Sequence, residues 1–161
     1  MIYDRADWHY GGDFPDGLPP ECGATHIGMF LGWAIKRDLV GELHREHNAE
    51  AIAGVRDGSI SGRDFLLDSC DEKFTEEELS EEGNRFAKSY FESRYLRDYD
   101  ACMGAGRASL YHVEDNSANR GKIEALLDER LAAWRAAGVK ARELRAARES
   151  SAARKPWWRF W

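Results

Sequence analysis

The sequence predicts a compact, mainly α domain. Three observations carry the prediction. Apolar residues recur at helical spacing in about five segments. The chain is 43% apolar and 12% aromatic over 161 residues, enough for one hydrophobic core and too apolar for a disordered chain. β-type patterning is confined to one short stretch, Ser109-Leu110-Tyr111-His112-Val113.

Residues 1–24 hold Gly11, Gly12, Pro15, Pro19 and Pro20 among Trp8, Tyr10 and Phe14. Pro and Gly at this density stop a helix. The aromatics need burial, so the stretch reads as an ordered loop packed on the body. A first helix over 25–37, with Thr25 as N-cap, is apolar nearly all round and reads as the central buried helix. Gly28 and Gly32 sit four apart and predict close approach by a neighbour. A second helix over 39–56 ends at Asp57-Gly58. Ser61-Gly62-Arg63-Asp64 reads as a capping box opening a short helix to Ser69.

Thr75 starts the next helix and Ser80 offers a restart. The stripe Phe86, Tyr90, Phe91, Tyr95 and Tyr99 carries it to about Met103, before Gly104. A last helix, capped at Asn116 or Ser117, buries Ile123, Leu126, Leu127, Leu131 and Trp134 and ends near Gly138. These elements predict a single domain over 1–138 and a basic, Trp-rich tail over 139–161.

The net charge of −6 hides a split. Seven bases against two acids give the tail +5, and the remaining residues carry −11. An acidic body weighs against nucleic acid and suits a basic protein partner. Cys22, Cys70 and Cys102 form neither a disulfide framework nor a C-x-x-C pair. Free thiols and the lack of an apolar leader predict a cytoplasmic protein. The longest apolar run, 27–35, is too short to span a bilayer, so no transmembrane segment is expected.

No motif names a reaction, and the sequence predicts no catalytic set, metal or cofactor. Two constellations remain. The first is an acidic cluster of Asp64, Asp68, Asp71, Glu72, Glu76, Glu77, Glu78, Glu81 and Glu82. It reads as a docking face for a basic protein, against the plainer alternative of a solvated face with helix-start acids. The second is His9, Asp13 and His26 around the Pro/Gly loop, residue types that a metal would accept. Here loop packing is the plainer alternative. His44 and His47 share a helix face, and the tail's Arg, Lys and Trp residues suit a membrane or nucleic-acid surface.

Two runs carry a resemblance: Trp8-His9-Tyr10-x-Gly12-Asp13-Phe14-Pro15 and Gly23-Ala24-Thr25-His26-Ile27-Gly28-Met29-Phe30-Leu31. Leu110-Tyr111-His112-Val113-Glu114-Asp115 and the Pro-Trp-Trp ending extend it. The chain resembles an uncharacterised family of small bacterial proteins, which implies no activity. In size and charge it is similar in type to immunity proteins that neutralise secreted toxins. The leading expectation is therefore a toxin-binding immunity protein whose partner is a secreted toxin domain. A metal-dependent enzyme using the His/Asp loop is the first alternative, and a tail-mediated membrane or nucleic-acid binder the second.

Overall fold

The computed structural model describes residues 1–10, 14–104 and 106–153, with side chains described as far as Glu149. The fold is mainly α. In order it comprises β1 (Ile2–Arg5), α1 (Thr25–Lys36), α2 (Glu42–His47), α3 (Ala49–Asp57), α4 (Gly62–Ser69), β2 (Lys73–Thr75), α5 (Glu81–Tyr90), a π-helical turn (Phe91–Tyr95), α6 (Leu96–Met103) and α7 (Ser117–Ala153). Met1–Leu127 form one compact unit and Asp128–Trp161 a second.

Within the first unit, every α1 residue from Thr25 to Ile35 is buried, as its all-round apolar sequence predicts. Glycines let α4 approach. A Cβ added at Gly62 would lie 2.1 Å from the Gly28 carbonyl oxygen, and one added at Gly28 would lie 2.3 Å from Arg63 Cα. Gly28 and Gly32 thus serve core packing. Phe30 meets Trp33, Phe74, Phe86, Phe91 and Tyr95 at ring-centroid distances of 4.9–6.3 Å. The aromatic stripe of α5 and α6 fills the space against α1.

The Ser61–Asp64 capping box forms as predicted, and Ser80 caps α5. Other expectations are corrected. Thr25 lies inside α1 and Ala24 occupies the cap position, because a 3-10 turn over Pro20–Ala24 leads straight into the helix. The helix expected over 39–56 is two helices, divided at Asn48. Thr75 caps only a single 3-10 turn, Glu76–Glu78. The stretch 109–113 is no strand. With no strand to pair with, Leu110–His112 curls into a 3-10 turn, and Ser109 Oγ accepts the Tyr111 N–H.

The N-terminal segment is more regular than a loop. β1 pairs antiparallel with β2, with an irregularity in register between Ile2 and Asp4. Tyr3 and Asp4 are consecutive yet both buried, an outcome that regular alternation forbids and a bulge permits. In the second unit α7 runs on through Gly138 to Ala153. Residues with strong helix propensity follow Gly138, so a cost of about 1 kcal/mol does not end the helix. Arg145 and Glu149 pair along this part at 2.9 Å. Arg154 to Trp161, including the aromatic ending, lie outside the described residues. No helix among the described residues is long and apolar enough to cross a membrane.

Candidate functional site: an Asp–His–His centre beside a cleft

Asp4 is the hub of the site. The bulged strand turns its carboxylate inward, a 3-10 turn over Ala6–His9 brings His9 back to it, and the first turn of α1 supplies His26. Asp4 Oδ1 lies 2.9 Å from His9 Nε2, and Oδ2 lies 3.2 Å from His26 Nε2. Burial pushes the Asp4 carboxyl up, but hydrogen bonds from His26 and His9, with their charge, outweigh it and hold it well below the usual carboxylate range. An ionised carboxylate only accepts, so both Nε2 atoms donate. Burial pushes His26 below its ordinary value, with Asp4 opposing, so the fold favours its neutral imidazole.

The donor assignment fixes the other nitrogens. His9 Nδ1, 3.0 Å from the Tyr111 hydroxyl, accepts from it when His9 is neutral. The result is a continuous chain from Asp4 through His9 to Tyr111. Among the described residues His26 Nδ1 is buried without a hydrogen-bond partner, as is the Tyr99 hydroxyl, whose ring lies 6.1 Å from His26. Tyr95 donates to the His26 carbonyl at 2.7 Å and fixes that turn of α1. His26 is sealed, whereas His9 keeps 16% of its side chain exposed.

Tyr111 also lines a cleft of about 420 Å³, with Pro19, Cys22, Arg63 and Asp115 among its walls. Arg63 reaches Thr25 Oγ1 at 3.3 Å and the Asp115 carboxylate at 3.5 Å. A volume of this size suits a small-molecule ligand. The triad logic is present: a carboxylate orients an imidazole, whose far nitrogen takes a proton from a hydroxyl.

A second cluster forms where the α2, α4 and Glu76–Glu78 segments meet. His44, Cys70 and Glu78 are all buried. His44 Nε2 lies 3.7 Å from Cys70 Sγ and 3.8 Å from Glu78 Oε1. Burial, and then the Glu78 charge, raise the Cys70 thiol far above its ordinary value. Burial thus favours the neutral thiol over a reactive thiolate.

His9 and His26 lie together, with ring centroids 4.6 Å apart. Asp13 lies outside the described residues, and Asp4 is the carboxylate between the two imidazoles. Asp4 escaped notice because strand pairing, not sequence proximity, delivers it. An acid beside Tyr3 at the edge of an apolar start was its one signal. Of the acidic cluster, Asp64, Asp68, Asp71, Glu76, Glu77 and Glu81 are exposed, Glu72 and Glu82 are half-buried and Glu78 is buried. Asp64 and Glu78 close capping boxes, and Glu78 is buried. Glu76 pairs with the N-terminal amine and Lys88, Asp71 with Lys73, and Glu81 with Arg85. Glu72 accepts from the Tyr10 hydroxyl at 3.5 Å, and Glu82 is half-buried. Asp68 and Glu77 stand exposed. His44 and His47 do not act together, since His44 is buried and His47 exposed.

These features define a small mainly α protein with a histidine-rich polar centre in its N-terminal two-thirds. Residues 2–113 match the family model of a domain of unknown function, DUF7832, and the chain belongs to that family. No curated protein and no solved structure matches it.

Proposed function

We propose that the protein is a small enzyme that performs acid–base chemistry on a small molecule admitted at the Tyr111 cleft. The hydrogen-bonded chain Asp4–His9–Tyr111, ending at the cleft wall, carries this reading. Asp4 accepts from His9 Nε2 and orients the ring. His9 takes the Tyr111 proton, so that Tyr111 serves as general base or acid toward the ligand. Glu21, Glu114 and Asp115 outnumber Arg63 on the same wall, and Arg63 is paired with Asp115, so the cleft favours a neutral or cationic ligand. This departs from the expectation of a non-enzyme, because side chains distant in sequence assemble into one centre. Fragment screening by NMR on the intact protein tests it. Fragments should shift the His9 and Tyr111 resonances and lose affinity in His9→Gln and Tyr111→Phe. Fragments that bind without touching either ring, or bind both variants unchanged, would overturn it.

The immunity reading has one specific support. Asp68 and Glu77 remain exposed acids for a basic toxin surface. Replacing both by Asn and Gln should slow association with a captured toxin and flatten its salt dependence. Unchanged association rates would remove the acidic face from that reading. A cytoplasmic setting fits both functions.

A further inference from the structure

The buried triplet of His44, Cys70 and Glu78 has no part in the chemistry above; Glu78 Oε2 accepts from the Thr75 N–H and His44 Nδ1 meets Asn48, which leaves His44 Nε2, Cys70 Sγ and Glu78 Oε1 facing one another. At 3.8 Å, His44 Nε2 and Glu78 Oε1 lie beyond a hydrogen bond, and the 3.7 Å contact to sulfur is a weak one. The spacings match another arrangement. Four ligands around zinc, with Zn–S near 2.3 Å and Zn–N or Zn–O near 2.0–2.1 Å, stand about 3.6 Å apart for an S···N edge and about 3.4 Å for an N···O edge. One ligand atom from each of the three residues lies within 4.8 Å of the others.

We propose that His44 Nε2, Cys70 Sγ and a Glu78 carboxylate oxygen bind a zinc-class divalent ion that staples α2, the end of α4 and the Glu76–Glu78 turn together. The donor set combines thiolate, imidazole and carboxylate, which suits a borderline-soft metal. One divalent ion, one thiolate and one carboxylate sum to zero charge, which relieves the cost of burying Glu78. Binding releases the Cys70 proton to solvent as the metal–sulfur bond forms. A water molecule completes the tetrahedron, since no fourth protein ligand joins the cluster among the described residues.

Asn48 is the supporting residue. Its side-chain amide sits 2.8 Å from His44 Nδ1. With metal on Nε2, Nδ1 carries the hydrogen, and the Asn48 amide turns to present its oxygen, an exchange of O and N that leaves the geometry unchanged.

Cobalt titration of the chelator-treated full-length protein is the test. One equivalent of Co²⁺ should produce a sulfur-to-cobalt charge-transfer band together with tetrahedral d–d bands, and Zn²⁺ should displace both. The band should vanish in Cys70→Ser and persist in Cys22→Ser and Cys102→Ser. Asn48→Ala should still fold and bind cobalt at least about tenfold more weakly. No charge-transfer band in the folded wild-type protein, or a band that survives Cys70→Ser, overturns the proposal. So does unchanged cobalt affinity in Asn48→Ala. Cobalt bound only by Asp4, His9 and His26 would give no sulfur band, so the two centres are told apart.

Discussion

The Asp4–His9–His26 centre and the His44–Cys70–Glu78 cluster are built from similar parts and hold them differently. In the first, donor and acceptor meet at 2.9 and 3.2 Å, and the chain leads on to Tyr111 at a cleft. In the second, the polar atoms stand 3.7 and 3.8 Å apart with no described route outward. The difference teaches that composition alone does not assign a role. Spacing separates a set satisfied by its own protons from one that needs something between its members. Exposure separates a group that can serve a ligand from one that can only hold the fold.

The largest way to break the contrast is to remove the hub. Asp4→Ala strands two imidazole donors, one of them fully buried, and should destabilise the protein by about 3 kcal/mol in urea unfolding. A loss below about 1 kcal/mol would mean that the centre tolerates its own absence, unlike an organised site.

Acid should separate the two clusters next. His26 is held low by burial, so the unfolded chain binds more protons. Its contribution is fully present above the ordinary histidine value of about 6.5 and is lost as pH falls through that value toward the folded one. Asp4 is held low by His26 and His9 against burial, so its contribution is lost only below about pH 4, as pH falls toward its folded value. The unfolding free energy from urea titration should therefore fall from pH 7.5 to 5.5, by at most about 1.4 kcal/mol per pH unit for one proton. The slope should survive in Cys70→Ser, whose thiol is neutral throughout that range in the apo protein. A slope abolished by Cys70→Ser would place the titration in the wrong cluster.

The smallest effect sharpens the functional half of the comparison. Tyr111→Phe removes one hydrogen bond at the half-exposed end of the chain and should cost about 1 kcal/mol. Ligand effects at the cleft should exceed that stability change. The reverse ranking, a large loss of stability with intact fragment binding, would make Tyr111 a packing residue.

The architecture was legible where the signal was local. α1 announces itself by an apolar run, Ser61 and Asp64 by capping-box spacing, and Gly28 and Gly32 by their separation. β1 was not, because its partner is seventy residues away and the following Pro/Gly stretch dominates the reading. The break at Asn48 hid inside a continuing apolar period. His9 and His26 were visible as a pair, but the carboxylate they share, the Tyr111 hydroxyl and the whole second cluster depend on contacts between distant segments.

The π-helical turn at Phe91–Tyr95 has a consequence for how the chain tolerates changes in length. Such a turn is a one-residue insertion in an otherwise regular helix. It lets Tyr90 and Tyr95, five residues apart, both face the core, and Tyr95 reaches the His26 carbonyl at 2.7 Å. Because the extra residue is absorbed within one widened turn, deleting Ser93 should restore regular helix geometry and leave α6 in phase, with Tyr95 and Tyr99 still against α1. Losing one residue inside α5 or α6 instead would turn all that follows by about 100°. The turn is thus a single residue of slack placed beside the strut that sets His26.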